Sequence, residues 1–172
     1  MIKPIFAIAV LCIALFGLHC SQKSVSNPQH VVELEREILL TLLRDKRPNN
    51  VVLDSSVGAW GIEDIDRMKK IFPNLADDTF KSFEKRNRDG LPQELLVLTD
   101  GFPVVSLEQV KKGEEYPWYY SISRVGVNDS GDQALVLFED HCPALCGEGA
   151  YYLLIKKNNI WQVADKQITW QT

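Results

Sequence analysis

The chain has 172 residues, of which 45% are hydrophobic and 24% are charged, and its formal net charge is -4. This length and composition indicate a single globular domain. The sequence contains no basic patch of the kind that neutralises phosphates, so nucleic acid is not expected as a partner.

The first residues have the pattern of an export signal. Lys3 supplies a positive charge, and residues 5–18 form an apolar run of 14 residues. A membrane-spanning helix needs about 20 apolar residues, so this shorter run is typical of the hydrophobic region of a secretory signal peptide. We therefore expect residues 1–19 to be a signal peptide. The alternative is an uncleaved N-terminal anchor.

Cys20 directly follows the apolar run and resembles the lipobox cysteine of bacterial lipoproteins. In that family the cysteine is acylated and becomes the first residue after cleavage. The sequence Gly17-Leu18-His19-Cys20 departs from the usual pattern, since His19 is bulky and Leu18 lies one position late. The rival interpretation is ordinary signal-peptidase cleavage, which would give a secreted protein.

The number of cysteines favours lipidation of Cys20. Cys12 would be lost with the leader, and pairing of Cys142 with Cys146 would leave Cys20 over. An unpaired thiol in an oxidising compartment needs an explanation, and acylation supplies one. We expect residues 20–29 to be the lipidated cysteine and a polar tether, with the lipid bilayer as the partner of the acyl chains.

Most of the elements predicted in the N-terminal half are helices. Asn27 and Pro28 are typical of an N-cap and a first helical position. Apolar residues then recur at three- and four-residue steps over about 17 residues, which predicts an amphipathic helix with Glu35 on its polar face. Further predicted elements are a strand at 51–57, helices at 62–71 and from Asp77, a strand at 94–99, and a short capped helix at 106–109.

The C-terminal half alternates β-prone runs with turn residues. Asn158-Asn159 is typical of a two-residue hairpin turn, because Asn tolerates positive φ. This turn predicts that Lys157 pairs with Ile160 and Leu154 with Val163. The predicted strands are 118–127, 133–142, 150–157 and 160–170.

The expected fold is α+β: N-terminal amphipathic helices followed by a C-terminal four-stranded antiparallel β-meander, in a single domain spanning 30–172. Both faces of the last hairpin are apolar, so neither can stay fully wet. Helices could cover one face, and the other would need a folded-over sheet, a partner or a binding cleft.

Cys142 and Cys146 lie in the loop between two predicted strands. In an exported protein this spacing favours a disulfide that fixes the loop. A metal site formed by His141, Cys142, Cys146 and Glu148 is an alternative, although neighbouring residues of a strand point to opposite faces. A redox-active pair is a second alternative, although exchange enzymes usually show C-x2-C at a helix N-terminus.

Catalytic motifs are absent from the sequence. It has no Gly-x-Ser-x-Gly elbow, no His-Glu-x-x-His and no phosphate-binding glycine loop. His141 is the one histidine within the predicted sheet and would be the base of a hydrolase that also used a carboxylate. We expect no catalytic residue, metal or cofactor. The surface to test for ligand or partner contact comprises Arg124, His141 and Glu148.

Several C-terminal motifs together resemble a group of uncharacterised bacterial exported proteins. They are Ser123-Arg124-Val125-Gly126-Val127-Asn128, Gln133-Ala134-Leu135-Val136, Cys142-x3-Cys146-Gly147-x-Gly149 and Trp161-x-Val163. The resemblance covers about 50 residues and implies export and the β-rich fold, without adding a catalytic residue.

These observations lead to one functional expectation, a lipid-anchored envelope protein that acts by binding or structural contact, with an envelope protein as partner. The alternatives are a metal- or redox-handling protein using Cys142 and Cys146, and a hydrolase using His141.

Overall fold

The computed structural model describes residues 28–46, 50–53, 65–89, 102–111, 118–143 and 146–172. The helices in these ranges are α1 (Pro28–Leu43), α2 (Ile65–Ile71), α3 (Asp77–Asp89) and α4 (Leu107–Lys111). The strands are β1 (Asn50–Leu53), β2 (Val104–Val105), β3 (Tyr119–Ile122), β4 (Gly126–Val127), β5 (Gln133–Cys142), β6 (Cys146–Lys157) and β7 (Ile160–Gln171).

The strands described here form one seven-stranded sheet in the order β2-β1-β3-β5-β6-β7, with β4 also paired to β5. β1 runs parallel to β2 and β3, whereas β5 is antiparallel to its neighbours β3, β4 and β6, and β7 is antiparallel to β6. The α+β class is therefore confirmed.

The predicted four-stranded antiparallel meander is wrong as a description of the whole sheet. The run 118–127 divides into β3 and β4, because residues 123–125 leave the strand where Arg124 turns into the core. The short run at Asn50–Leu53 joins the sheet in parallel beside β3. Parallel pairing is set by contacts distant in the chain, so local turn signals do not reveal it.

Helix α1 forms as its periodicity predicts, beginning at Pro28. Its apolar stripe is buried, with Leu34 at 4% exposure and Ile38, Leu39 and Leu43 at 0%. This stripe packs on one face of the sheet against alternate residues of β5, including Val136. Burial of such a stripe, rather than helix propensity, supplies most of the stability of a helix of this length.

Helices α2 and α3 cover the other face. Met68, Phe72, Phe80 and Phe83 pack there against residues of β5 and β6, among them Leu135. Both apolar faces of the sheet are thus covered by helices over β5 and β6. Strand β7 extends beyond this cover at the edge, and the exposed large hydrophobic residues of the described chain, Ile160, Val163 and Ile168, all lie on it.

The last hairpin has the predicted register. Asn158 and Asn159 have φ of 49° and 64°, as a two-residue turn requires. Lys157 pairs with Ile160 and Leu154 with Val163. The predicted cap of α4 is also confirmed, because Ser106 Oγ accepts a hydrogen bond from the Gln109 N–H and the Gln109 side chain accepts one from the Ser106 N–H.

Several predictions fall on residues outside the described ranges. These are the signal peptide at 1–19, Cys20 with most of the tether, and the strand at 94–99. None of the helices in the described ranges combines the length and apolar character that a membrane crossing requires.

Candidate binding site at the disulfide-closed end of the sheet

Strands β5 and β6 end in a cross-strand cysteine pair. Cys142 and Cys146 lie directly opposite each other as the last pair of this hairpin, with a disulfide between them and a Cα–Cα distance of 5.3 Å. This distance is ordinary for a disulfide. The bond closes the hairpin end and holds the neighbouring pair, His141 opposite Gly147, in register.

His141 and Glu139 lie two residues apart on β5, so their side chains share one face of the sheet. His141 Nε2 is 3.2 Å from Glu139 Oε2. When the Nε2–H of a neutral imidazole donates a hydrogen bond to the carboxylate, the acceptor lone pair of the ring lies on Nδ1. Nδ1 has no hydrogen-bond partner among the described groups, so its lone pair is left as an acceptor.

Two aromatic rings flank His141. The Tyr119 ring on β3 stacks on the imidazole, with centroids 4.4 Å apart and planes inclined by 12°. The Trp170 ring on β7 lies 5.4 Å away at 40°. Trp170 Nε1 also donates to Glu139 Oε1 at 2.9 Å. Glu139 therefore fixes both the imidazole and the indole.

Trp170 reaches Glu139 because β6 carries glycine beneath it. A Cβ at Gly149 would lie 2.1 Å from Trp170 Nε1, and one at Gly147 would lie 3.1 Å from the indole ring and 2.6 Å from the Asp140 carbonyl oxygen. The two glycines lie within β6, and they allow this close approach of a ring to the backbone.

The structure separates the three residues predicted to share one surface. Glu148 lies beside the loop, but on the opposite face from His141, where its side chain pairs with Lys166 above the Tyr152 ring. Arg124 is buried, with 7% exposure. The expectation of Arg124 on the loop surface is therefore corrected. Of the three, only His141 belongs to the group formed with Tyr119, Glu139 and Trp170.

Arg124 instead binds Glu35, which is fully buried in the core. Arg124 Nε lies 2.9 Å from Glu35 Oε1, and the Val125 N–H donates to the same oxygen at 2.7 Å. Arg86 on α3 also donates to this carboxylate. Burial lowers the pKa of the Arg86 guanidinium, an effect that the Glu35 charge opposes and the Arg124 charge reinforces.

Sequence reasoning missed this core ion pair by assigning Glu35 to the polar face of α1. A signal was present. Glu35 is four residues after Val31 and three before Ile38, so it lies within the apolar stripe itself. A carboxylate at such a position needs a charged partner in the core. The network joins α1, α3 and the segment between β3 and β4, and it has a structural role.

The described ranges contain no group of three or more His, Cys, Asp or Glu residues that could hold a metal ion.

Comparisons with protein-family models, curated protein sequences and solved structures found no match for the chain.

Proposed function

We propose that the protein is a lipid-anchored component of a bacterial cell envelope and acts by binding. Its binding surface is the disulfide-closed end of the sheet, formed by Tyr119, Glu139, His141 and Trp170. The leader and Cys20 support the anchor through their sequence pattern. The arrangement around His141 supports the binding role.

The observation that carries this proposal is the way His141 is held. Its side chain keeps 28% of its surface exposed, while Glu139, at 15%, fixes one ring nitrogen. Tyr119 and Trp170 fix the ring plane. A surface whose rings are already ordered loses little side-chain entropy when a ligand binds. Aromatic groups with one polar edge are also enriched in binding surfaces.

The chemistry of the site defines the ligand it would accept. Both Glu139 oxygens already accept hydrogen bonds, so the hydrogen-bond acceptor left for a ligand is His141 Nδ1. A ligand with a hydroxyl or N–H donor for Nδ1 and an apolar face for the rings would match it. Such groups occur in the polymers and proteins of a cell envelope, next to which a tether of about ten residues would hold the domain.

The anchor is tested by the mass and location of the native protein. The expected mass begins at Cys20 and includes acyl chains, and Cys20→Ala should move the protein from the membrane fraction to the soluble fraction. A native mass that begins elsewhere, or an unchanged membrane fraction for the variant, would contradict the anchor.

The binding surface is tested with envelope fractions from the source cells. Solubilised cell-wall polymer and detergent-extracted envelope protein are each applied to the immobilised domain. We expect His141→Ala and Tyr119→Ala to reduce retention of one fraction by about tenfold. The matched control is Lys157→Ala, an exposed residue at the opposite end of β6. Equal retention by all three variants would exclude this surface.

A hydrolase is the second candidate, because His141 and Glu139 form a carboxylate-oriented imidazole suited to a general base. It predicts turnover that His141→Gln abolishes while ligand retention persists. A redox or metal role for the cysteines predicts thiols that alkylate without prior reduction, or metal in the native protein. Resistance to alkylation before reduction, with two sites afterwards, would favour a stable disulfide.

A further inference from the structure

A groove lies between helix α1 and the beginning of β7, on the face of the sheet opposite His141. Its volume is about 330 Å³, and its walls include Leu40 and Arg44 from the helix and Ile160 and Trp161 from the strand. This volume is at the lower end of the range for small-molecule sites. The groove is separate from the surface proposed above.

Trp161 gives this groove an unsatisfied hydrogen-bond donor. The residue is 4% exposed, and its indole Nε1 is buried without a hydrogen-bond partner among the described residues. Most buried polar side-chain atoms have a partner, because an unpaired donor keeps its full desolvation cost. Trp161 lines the groove, while Nε1 itself is covered, so an acceptor supplied from outside the chain pairs with this donor only when a neighbouring side chain moves aside.

The charges at the groove favour an anion. Glu37 lies on the helix wall, but Lys156 Nζ is 3.3 Å from its Oε2 and compensates its charge. Arg44 is exposed and has no ion-pair partner among the described residues. The uncompensated charge on the groove is therefore positive, and a guanidinium is well suited to bind a carboxylate.

The apolar part of the groove completes the match. Ile160 keeps 55% of its surface exposed and Leu40 is partly buried, and both line the groove. Covering this apolar surface would add a hydrophobic contribution to binding. The site thus combines a cation and a free N–H with an apolar wall.

We propose that this groove binds a small amphipathic carboxylate. The carboxylate contacts Arg44 and accepts a hydrogen bond from Trp161 Nε1, and its alkyl part lies on Leu40 and Ile160. Lys156 Nζ lies 5.5 Å from the Trp161 ring centroid. Its ion pair with Glu37, whose side chain is 57% exposed, is weak enough to shift as the carboxylate enters.

The test is a titration of the full chain with octanoate, monitored by the NMR signal of the Trp161 indole N–H. The variant Trp161→Phe, which lacks this N–H, assigns the signal. A new hydrogen bond moves this signal downfield. We expect a saturable downfield shift with octanoate, unchanged signals from Trp118 and Trp170, and no downfield shift with octan-1-ol. Arg44→Gln should weaken octanoate binding about fivefold or more.

Lys85→Gln is the matched control, because it removes one exposed positive charge from α3, on the opposite face of the sheet. It should leave octanoate binding unchanged. The proposal would be overturned by a Trp161 signal that stays in place with octanoate or that shifts equally with octan-1-ol. It would also be overturned if Lys85→Gln and Arg44→Gln weakened octanoate binding equally. These results are independent of the envelope-binding function, since no variant changes the His141 surface.

Discussion

Glu35 and Arg124 form a two-point ion pair in the core although 89 residues separate them in the chain. Nε of Arg124 is 2.9 Å from one carboxylate oxygen, and Nη2 is 3.1 Å from the other. Arg86 and the Val125 N–H bind the same carboxylate. One negative charge thus pairs with two largely buried cations and a backbone donor, and it joins α1 to α3 and to the segment between β3 and β4.

Removing this carboxylate should destabilise the fold strongly. Glu35→Ala removes the carboxylate that pairs with both guanidiniums in the core, and we expect the free energy of unfolding to fall by about 3–5 kcal/mol. Urea denaturation measures the change. Glu33→Ala, at an exposed position of the same helix, is the control and should change stability by about 0.5 kcal/mol or less. Similar losses for both variants would contradict a special role for Glu35.

The parts of the fold that follow from local rules could be predicted from the sequence. Three- and four-residue periodicity located α1, and the turn at Asn158-Asn159 fixed the register of β6 and β7. The pairing of Cys142 with Cys146 could be predicted because a hairpin brings the adjoining ends of its two strands together. Each of these signals lies within a few residues of the feature it specifies.

The missed features depend on contacts distant in the chain. The parallel position of β1 depends on β3, which lies about 70 residues later. The charge of Glu35 indicates a solvent-facing position on α1, whereas its actual partners come from α3 and the β3–β4 segment. The role of Gly149 became visible only with Trp170 lying over it.

Gly149→Ala tests the close packing of Trp170 on β6. The added methyl would occupy the place of the indole, so we expect the indole to move and its bond to Glu139 to break, with a loss of about 1–3 kcal/mol in unfolding free energy. The measurement is a double-mutant cycle with Trp170→Ala in urea denaturation. The same glycine substitution should cost much less in that background, and an equal cost in both would refute the contact.

The loop between β4 and β5 should make stability depend on pH. Hydrogen bonds from Asn128 Nδ2 and Ser130 Oγ, both at 2.7 Å, hold the pKa of the Asp132 carboxyl below its usual value. A lowered folded-state pKa contributes stability that is present above the unfolded value of about 3.9 and is lost as pH falls through the folded value.

Asp132→Asn removes this titration. We expect the unfolding free energy of the variant to fall less steeply than that of the native chain between about pH 5 and pH 2. Urea denaturation at a series of pH values measures both slopes. A native slope in Asp132→Asn would show that these hydrogen bonds do not lower the pKa.

The disulfide between Cys142 and Cys146 should stabilise the domain modestly, because it closes a loop with a sequence separation of only 4. The chain-entropy relation gives about 2 kcal/mol for so short a loop, and we expect the double variant Cys142→Ala/Cys146→Ala to lose that amount in urea denaturation. A reductant should destabilise the native chain to the same extent and leave the double variant unchanged. A loss near 5 kcal/mol would mean that the bond also supports the packing of His141 and Trp170, whereas no loss would show that the strand pairing alone closes this end of the hairpin.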